Sequence, residues 1–246
     1  MTRKLFWEDP YLSRIETTLT SIDGNRVTVD RTILYPFSGG QEWDHGTIGN
    51  RKVTDILLQG RELVYILENT ACLRVGDILP MQMDWERRYA LMRMHFAAEI
   101  VLEVTCRSCP DIHKIGAHIS PEKARIDFLL KESLNARLPG IQMEVNRLIE
   151  EDHTILSEFS DVENEQRFWE VPGFARVACG GTHLKRTGEI GQIRLRRDNI
   201  GRSKERIEIF LDEAPPPARN DSNGSGRPRE RGGQHDQGGN QKIGSQ

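Results

Sequence analysis

From Asp84 to Glu103 the chain runs without a single glycine or proline, while the residues before it are broken by them every few positions. Good helix formers follow Asp84, which suits an N-cap. Leu91, Met94, Ala98 and Val101 recur at helical spacing. A long helix in mid-chain obliges the segments on either side to pack against it. Residues 11–19, 26–34, 52–58, 62–67 and 78–83 are short and apolar or alternating, with Asp23-Gly24-Asn25, Gly39-Gly40, Gly46, Gly49-Asn50, Gly60 and Gly76-Asp77 between them. Such spacing predicts strands of a small barrel. Beyond the helix, 113–119 alternates like a strand and 123–130 reads as its partner, although Ser120-Pro121-Glu122 would also open a helix. An amphipathic helix is expected over 139–153, with Ile141, Val145, Leu148 and Ile149 on one side. A strand is expected over 154–159, residues 174–179 lead into a turn, and 189–196 with 205–211 suggest a closing hairpin. The expected fold is α+β: an N-terminal small β-barrel over 1–83, an α+β unit over 84–213 built around the helix, and a tail over 214–246.

Charge and composition narrow the class. The 246 residues carry a net charge of −3 and are 37% hydrophobic, a low share to which the tail contributes. After Ala214-Pro-Pro-Pro-Ala218 the tail is Gly, Asn, Ser, Gln, Arg and Asp with one larger aliphatic residue, Ile243. It cannot bury enough apolar surface to offset the entropy of ordering, so disorder is expected. Arg227-Pro-Arg-Glu-Arg231 hints at weak RNA contact, against the plainer reading of a solubilising tail. The folded body is acidic, unlike a general nucleic-acid binder. The first residues lack an apolar signal core, and no run is long and apolar enough to span a membrane. Cysteines at 72, 106, 109 and 179 do not make a disulfide scaffold. A cytoplasmic protein, monomeric or weakly dimeric, is expected.

Two short motifs carry chemistry. His95 and Glu99 are four apart on the expected helix and therefore share a face. Cys179-Gly180-Gly181-Thr182-His183 puts a thiolate and an imidazole within reach of one metal ion, with two glycines to turn the backbone. Each motif also has a bland reading, a surface His–Glu hydrogen bond and a buried inert cysteine beside a turn. Together they make the two halves of a zinc site. Cys106-x2-Cys109 with His113 and His118 spells a possible zinc knuckle, but strand alternation sends the two histidines to opposite faces.

Arg88, His95-Phe-Ala-Ala-Glu99, Cys179-Gly-Gly-Thr-His183 and Thr187-Gly-Glu-Ile190 resemble the alanyl-tRNA editing family, the freestanding AlaX-type proteins and the editing domain of alanyl-tRNA synthetase. Leu34-Tyr35-Pro36-Phe-Ser-Gly39-Gly40-Gln41, followed by Asp44-His-Gly46, is similar to the family's glycine-rich loop. Gly76-Asp77 leading to Asp84-Trp-Glu-Arg-Arg88 is a further match. The matches fall in family order and cover roughly 10–211. The resemblance implies a translation-factor-like barrel before a metal-dependent editing unit. It also implies a zinc ion on His95, Glu99, Cys179 and His183. The loop residues Ser38, Gly39, Gly40 and Gln41, with Thr182, would then bind substrate, and Gln41, Gly180 and Gly181 would assist catalysis. Two departures matter. The family pattern is His-x3-His, and Glu99 stands at the second histidine position; Ser38 stands where a glycine is usual. Glutamate is a legitimate zinc ligand, but a hard anionic one that lowers Lewis acidity. If all four residues bind, water must enter as a fifth ligand or displace one, and Glu99 is the one expected to move.

The implied reaction is hydrolysis of the ester joining an amino acid to the tRNA acceptor end, with Ser-tRNA(Ala), Gly-tRNA(Ala) or a related aminoacyl-tRNA carrying an unusual amino acid as substrate. A metal can polarise the ester carbonyl, activate water or anchor the amino group, and the backbone N–H groups of the glycine pairs can meet a developing oxyanion. Lys185-Arg186, Arg194, Arg196-Arg197, Arg202, Lys204 and the helix residues Arg87, Arg88 and Arg93 form a basic set for tRNA phosphates, Arg196 and Arg197 foremost. The alternatives are a homologue that binds aminoacyl-tRNA without hydrolysing it, and a zinc hydrolase of another ester or amide.

Overall fold

The computed structural model describes residues 2–212, so the expected tail over 214–246 lies outside the described residues. The chain opens with β1 (Arg3–Lys4) and a 3-10 turn at Leu5–Trp7. There follow β2 (Arg14–Asp23), β3 (Arg26–Val29), β4 (Arg31–Thr32), β5 (Gly46–Ile48), β6 (Arg51–Gln59), β7 (Glu62–Leu67) and β8 (Ile78–Met83). Six of these pair antiparallel in the order β2-β3-β7-β6-β5-β8, and β8 returns to pair with β2. Leu19, Val27, Ile48, Val53, Tyr65 and Met81 are buried in this half of the molecule. β1 and β4 pair in parallel as a separate two-stranded sheet.

Helix α1 (Trp85–Ser108) begins as its sequence dictates: the Asp84 side chain accepts a hydrogen bond from Arg87 N at 3.1 Å. It is longer than the expected stretch, because nothing in Val104-Thr-Cys-Arg107 breaks a helix. Cys106 therefore sits inside the last turn and Cys109 at its cap, where no knuckle forms. Leu91 through Ala98 are all buried, polar residues included, because α1 packs against both halves of the molecule. On one side lie α2 (Leu138–Glu150) and a four-stranded sheet, in the order β14-β15-β10-β9, made of β9 (His113–Ile119), β10 (Ala124–Leu129), β14 (Ile193–Gly201) and β15 (Lys204–Leu211). A three-stranded sheet of β11 (Leu156–Asp161), β12 (Gln166–Val171) and β13 (Ala175–Ala178) completes the mixed architecture of sheets and two α-helices. β12 escaped the sequence reading because Arg167, Phe168 and Trp169 are buried in succession, which hides the two-residue period.

A buried ion pair ties α1 to the N-terminal half. Arg88 and Asp44 are both wholly inaccessible, with Nε to Oδ1 at 2.9 Å and a second contact between Nη2 and Oδ2. The guanidinium also donates to the Pro10 and Ile33 carbonyls, and Asp44 accepts from Tyr35 N at 2.6 Å. Every strong polar atom is satisfied, so the pair behaves as a clasp holding 33–44 on the helix. Arg88 is thus unable to meet a phosphate. Arg93 is also buried, on the Ile190 and Asp212 carbonyls, and Arg87 pairs with Glu42. The helix arginines expected to touch tRNA are scaffold instead. Replacing Asp44 by Ala leaves a buried charge uncompensated and is expected to lower stability by about 3–5 kcal/mol. Urea unfolding measures this; a loss below about 1 kcal/mol would show that the clasp is dispensable.

Candidate metal centre

α1 presents His95 and Glu99 one turn apart, and the turn after β13 brings Cys179 and His183 to the same place. His95 Nε2 lies 3.5 Å from Cys179 Sγ, and His183 Nε2 lies 3.4 Å from the same sulfur. One donor atom from each of these three residues falls within 4.8 Å of the others, the one such group among the described residues. Glu99 stands at its edge: Oε1 is 3.2 Å from His95 Nε2 and 3.6 Å from Cys179 Sγ, while Oε2 accepts from Trp169 Nε1 at 3.1 Å. It touches two of the three and is not in the mutually close set.

The outer nitrogens of both imidazoles are anchored. Gln41 Nε2 donates to Thr182 Oγ1 at 3.4 Å, which leaves Gln41 Oε1 to accept from His95 Nδ1. His183 Nδ1 meets Ser157 Oγ at 2.9 Å. Both rings thereby turn Nε2 inward, the arrangement by which buried partners orient metal-binding histidines. Burial by itself lowers the His95 pKa, but the Cys179 sulfur and Glu99 carboxylate outweigh it and push the imidazole up to about 10. Burial raises Glu99, and the His95 contact together with the Trp169 N–H overcomes it, holding the carboxyl down near 2. His183, buried and facing the His95 charge, is lowered well below the ordinary histidine value. A sulfur and a carboxylate that draw a proton so strongly to His95 would also draw a metal cation. Two imidazoles and a thiolate suit a borderline-soft ion such as zinc, so the residues present fit the group.

The glycines have distinct structural duties. A Cβ on Gly181 would lie 1.9 Å from His95 Cε1, so only glycine lets the turn pass over the ring. A Cβ on Gly180 would meet nothing within 4 Å. The Gly180 carbonyl accepts from Trp7 Nε1 at 2.8 Å and the Gly181 carbonyl from Arg167 Nη1 at 3.2 Å. With both oxygens held, neither N–H of the pair donates to a backbone carbonyl. Arg167 is buried beside Cys179, stacked over Trp7 and Phe159, and its own carbonyl accepts from Cys179 N at 2.9 Å.

A cavity of about 430 Å³ opens on this centre. Ser38, Gly39, His95, Glu99, Cys179, Gly180 and Gly181 line it, with Phe6, Trp7, Tyr35, Leu63 and Lys114 as further walls. Gln41 and Thr182 do not line it; both are buried behind His95. Gln41 supports the His95 imidazole. Gly40 is pressed against Ala117, whose oxygen would be 2.7 Å from a Cβ. Arg196 and Arg197, adjacent on β14, point to opposite faces of the sheet and bond Glu208 and Glu205, so they form no joint patch at the cavity. Ser157, Arg167, Trp169 and Trp7 were not legible as site residues. They sit in ordinary strand and turn contexts, and only the chain crossing brings them to the motif residues.

Residues 167–208 match the family described as the threonyl and alanyl tRNA synthetase second additional domain. The chain is 33% identical over 216 residues to the alanyl-tRNA editing protein AlaX-M of Pyrococcus horikoshii, covering 86% of this chain and 99% of that protein. It is 30% identical over 231 residues to the AlaX-M protein of Saccharolobus solfataricus, covering 84% and 98%. Against the alanine–tRNA ligase of Ignicoccus hospitalis the identity is 32% over 218 residues, which is 79% of this chain and 24% of the ligase.

Proposed function

Since the chain belongs to the alanyl-tRNA editing family, we propose that it is an aminoacyl-tRNA deacylase that removes the wrong amino acid from tRNA(Ala) in trans, Ser-tRNA(Ala) and Gly-tRNA(Ala) being its substrates. The observation that carries the reading is the convergence of His95 Nε2, Cys179 Sγ and His183 Nε2 beside a cavity walled from both halves of the chain, 1–83 and 84–213. About 430 Å³ is within the range of small-molecule pockets and suits a terminal nucleoside bearing a small acyl group. His95, Cys179 and His183 would hold a zinc ion, with Glu99 as the fourth and most weakly held ligand. Bound there, zinc would supply Lewis-acid polarisation of the ester carbonyl.

The chain's own groups account for the rest. Gln41 and Ser157 keep the two imidazoles oriented. Gly180 and Gly181 line the cavity, and their backbone N–H groups would be the donors for negative charge developing on the ester oxygen; the bond from Trp7 to the Gly180 carbonyl fixes the peptide plane that carries the Gly181 N–H. Phe6, Trp7 and Tyr35 give the cavity part of its apolar wall. Ser38, at the rim, adds a hydroxyl where the family usually has glycine.

Metal analysis of purified protein beside single-turnover deacylation of a panel of mischarged tRNAs tests this. Stoichiometric zinc and rapid loss of serine or glycine from tRNA(Ala) are expected. Full activity without metal would sink the zinc mechanism, and metal without deacylation of any aminoacyl-tRNA would favour a binding protein. Glu99→Ala is expected to lower metal content and rate together, by about 10–100-fold. Glu99→His is expected to hold zinc at least as tightly and to turn over more slowly. Unchanged stoichiometry in Glu99→Ala would remove Glu99 from the ligand set.

A further inference from the structure

The outer face of the four-stranded sheet is built as a layer of cations over buried acids. Its inner face, with Leu195, Ile207, Ile209, Ile126 and Phe128, is apolar and buried toward the helices. Strand register sets Arg196, Glu208, Arg125 and His118 in one row across β14, β15, β10 and β9, and Asp198, Arg206, Asp127 and Gly116 in the next. Glu208 and Asp127 form the floor, while Asp198 stands exposed among the cations. The Glu208 and Asp127 side chains are only 7% and 12% exposed, whereas Arg196 and Lys123 above Glu208 are 67% and 49% exposed. Arg125 and Arg206 close over Asp127. Arg194 lies over the Phe210 ring at 5.3 Å, with Arg196 on the same ring, and Arg194 has no carboxylate partner among the described residues.

Buried carboxylates hold these guanidinium groups in place and use only part of their donors; Arg196 spends Nε and Nη2 on Glu208, and its Nη1 has no partner among the described residues. The outward surface is thus pre-ordered and positive in a chain whose net charge is −3. Its β9 edge borders the cavity loop. Ile119 of the edge strand β9 exchanges backbone hydrogen bonds with Gly40 and Glu42 of the cavity loop, and Lys114 on the same strand lines the cavity. Strands spaced about 4.8 Å apart put the β10 and β15 cations about 5–10 Å from that edge.

We propose that this face, through Lys123, Arg125, Arg194, Arg196 and Arg206, docks the sugar–phosphate backbone of the tRNA acceptor stem while the acceptor end enters the cavity. The proposal rests on the reading of the cavity as an acceptor-end pocket. Fixed guanidinium groups suit phosphate oxygens, which take bidentate donors without regard to sequence. The N- and C-terminal halves would then share the substrate, the ring of strands walling the ester and the sheet holding the stem.

Equilibrium binding of an uncharged tRNA(Ala) transcript over a series of salt concentrations tests this without any catalytic step. Lys123→Ala with Arg194→Ala, neither of which orphans a buried acid since Arg196 still covers Glu208, is expected to weaken binding about tenfold and to reduce the salt slope by about 2. Arg26→Ala with Arg74→Ala, exposed positions on β3 and in the loop between β7 and β8, makes the same charge change elsewhere and is expected to keep the wild-type slope. Circular dichroism melting checks that both pairs remain folded. A wild-type slope in the sheet variant, an equal loss in the control pair, or no binding by the wild type overturns the proposal. A protein that binds tRNA with this slope yet deacylates nothing would instead overturn the proposed hydrolysis and leave the docking face standing.

Discussion

Cys179→Ala is expected to abolish zinc binding and to slow deacylation by about 10³-fold or more, the rate equivalent of the several kcal/mol a Lewis acid supplies. The sulfur is the one atom that contacts His95, His183 and Glu99. Without it no single atom bridges the two imidazoles and the carboxylate, and His95 loses the partner that most opposes burial of its charge. Fold stability is expected to survive, since Cys179 is half-buried at the cavity and not part of the apolar core. Metal content by atomic absorption and single-turnover deacylation read the two effects separately. Wild-type zinc in the variant would place the ion elsewhere.

Gly181→Ala is expected to cost about 10²-fold in deacylation rate, and Gly180→Ala close to nothing. The two glycines are neighbours with identical side chains, so composition cannot separate them. A Cβ on Gly181 would fall 1.9 Å from His95 Cε1 and 2.7 Å from Nδ1, a collision that only a shift of the ring by more than about 1 Å relieves. Displacements of that size remove about 10²-fold of catalysis, and the bond to Gln41 Oε1 would go with it. Gly180 has open space where its Cβ would be, and an alanine there keeps the backbone N–H. Parallel kinetics and zinc titration of the two variants decide the matter. Equal tolerance at both positions would mean that the turn is free to move off the ring.

The helix was readable because capping, helix propensity and spacing all act within a few residues. Asp84 caps α1, and the fourfold spacing of His95 and Glu99 and of Cys179 and His183 carries over directly into neighbouring donors. Glu99 marks the limit of that reading. Its distance from His95 follows from the helix, but its position at the edge of the donor set depends on Trp169, whose indole holds the second oxygen. Arg88 looked like a phosphate ligand because an arginine beside a binding motif carries no sign of its burial. Its partner Asp44 is 44 residues away in sequence, across the ring of strands.

Local pattern by itself determined the mid-chain helix, most of the strands and the identity of the metal-binding candidates, because backbone geometry repeats over three to four residues and donor chemistry belongs to the side chain. Tertiary structure alone decided which arginines are scaffold and which are surface, set Gln41 against the His95 ring, and closed the space beside Gly181 while leaving it open beside Gly180. Those outcomes rest on burial and on contacts between strands and turns far apart in the chain. Such contacts are set by how α1 packs between the two halves, and no short stretch of sequence records that packing.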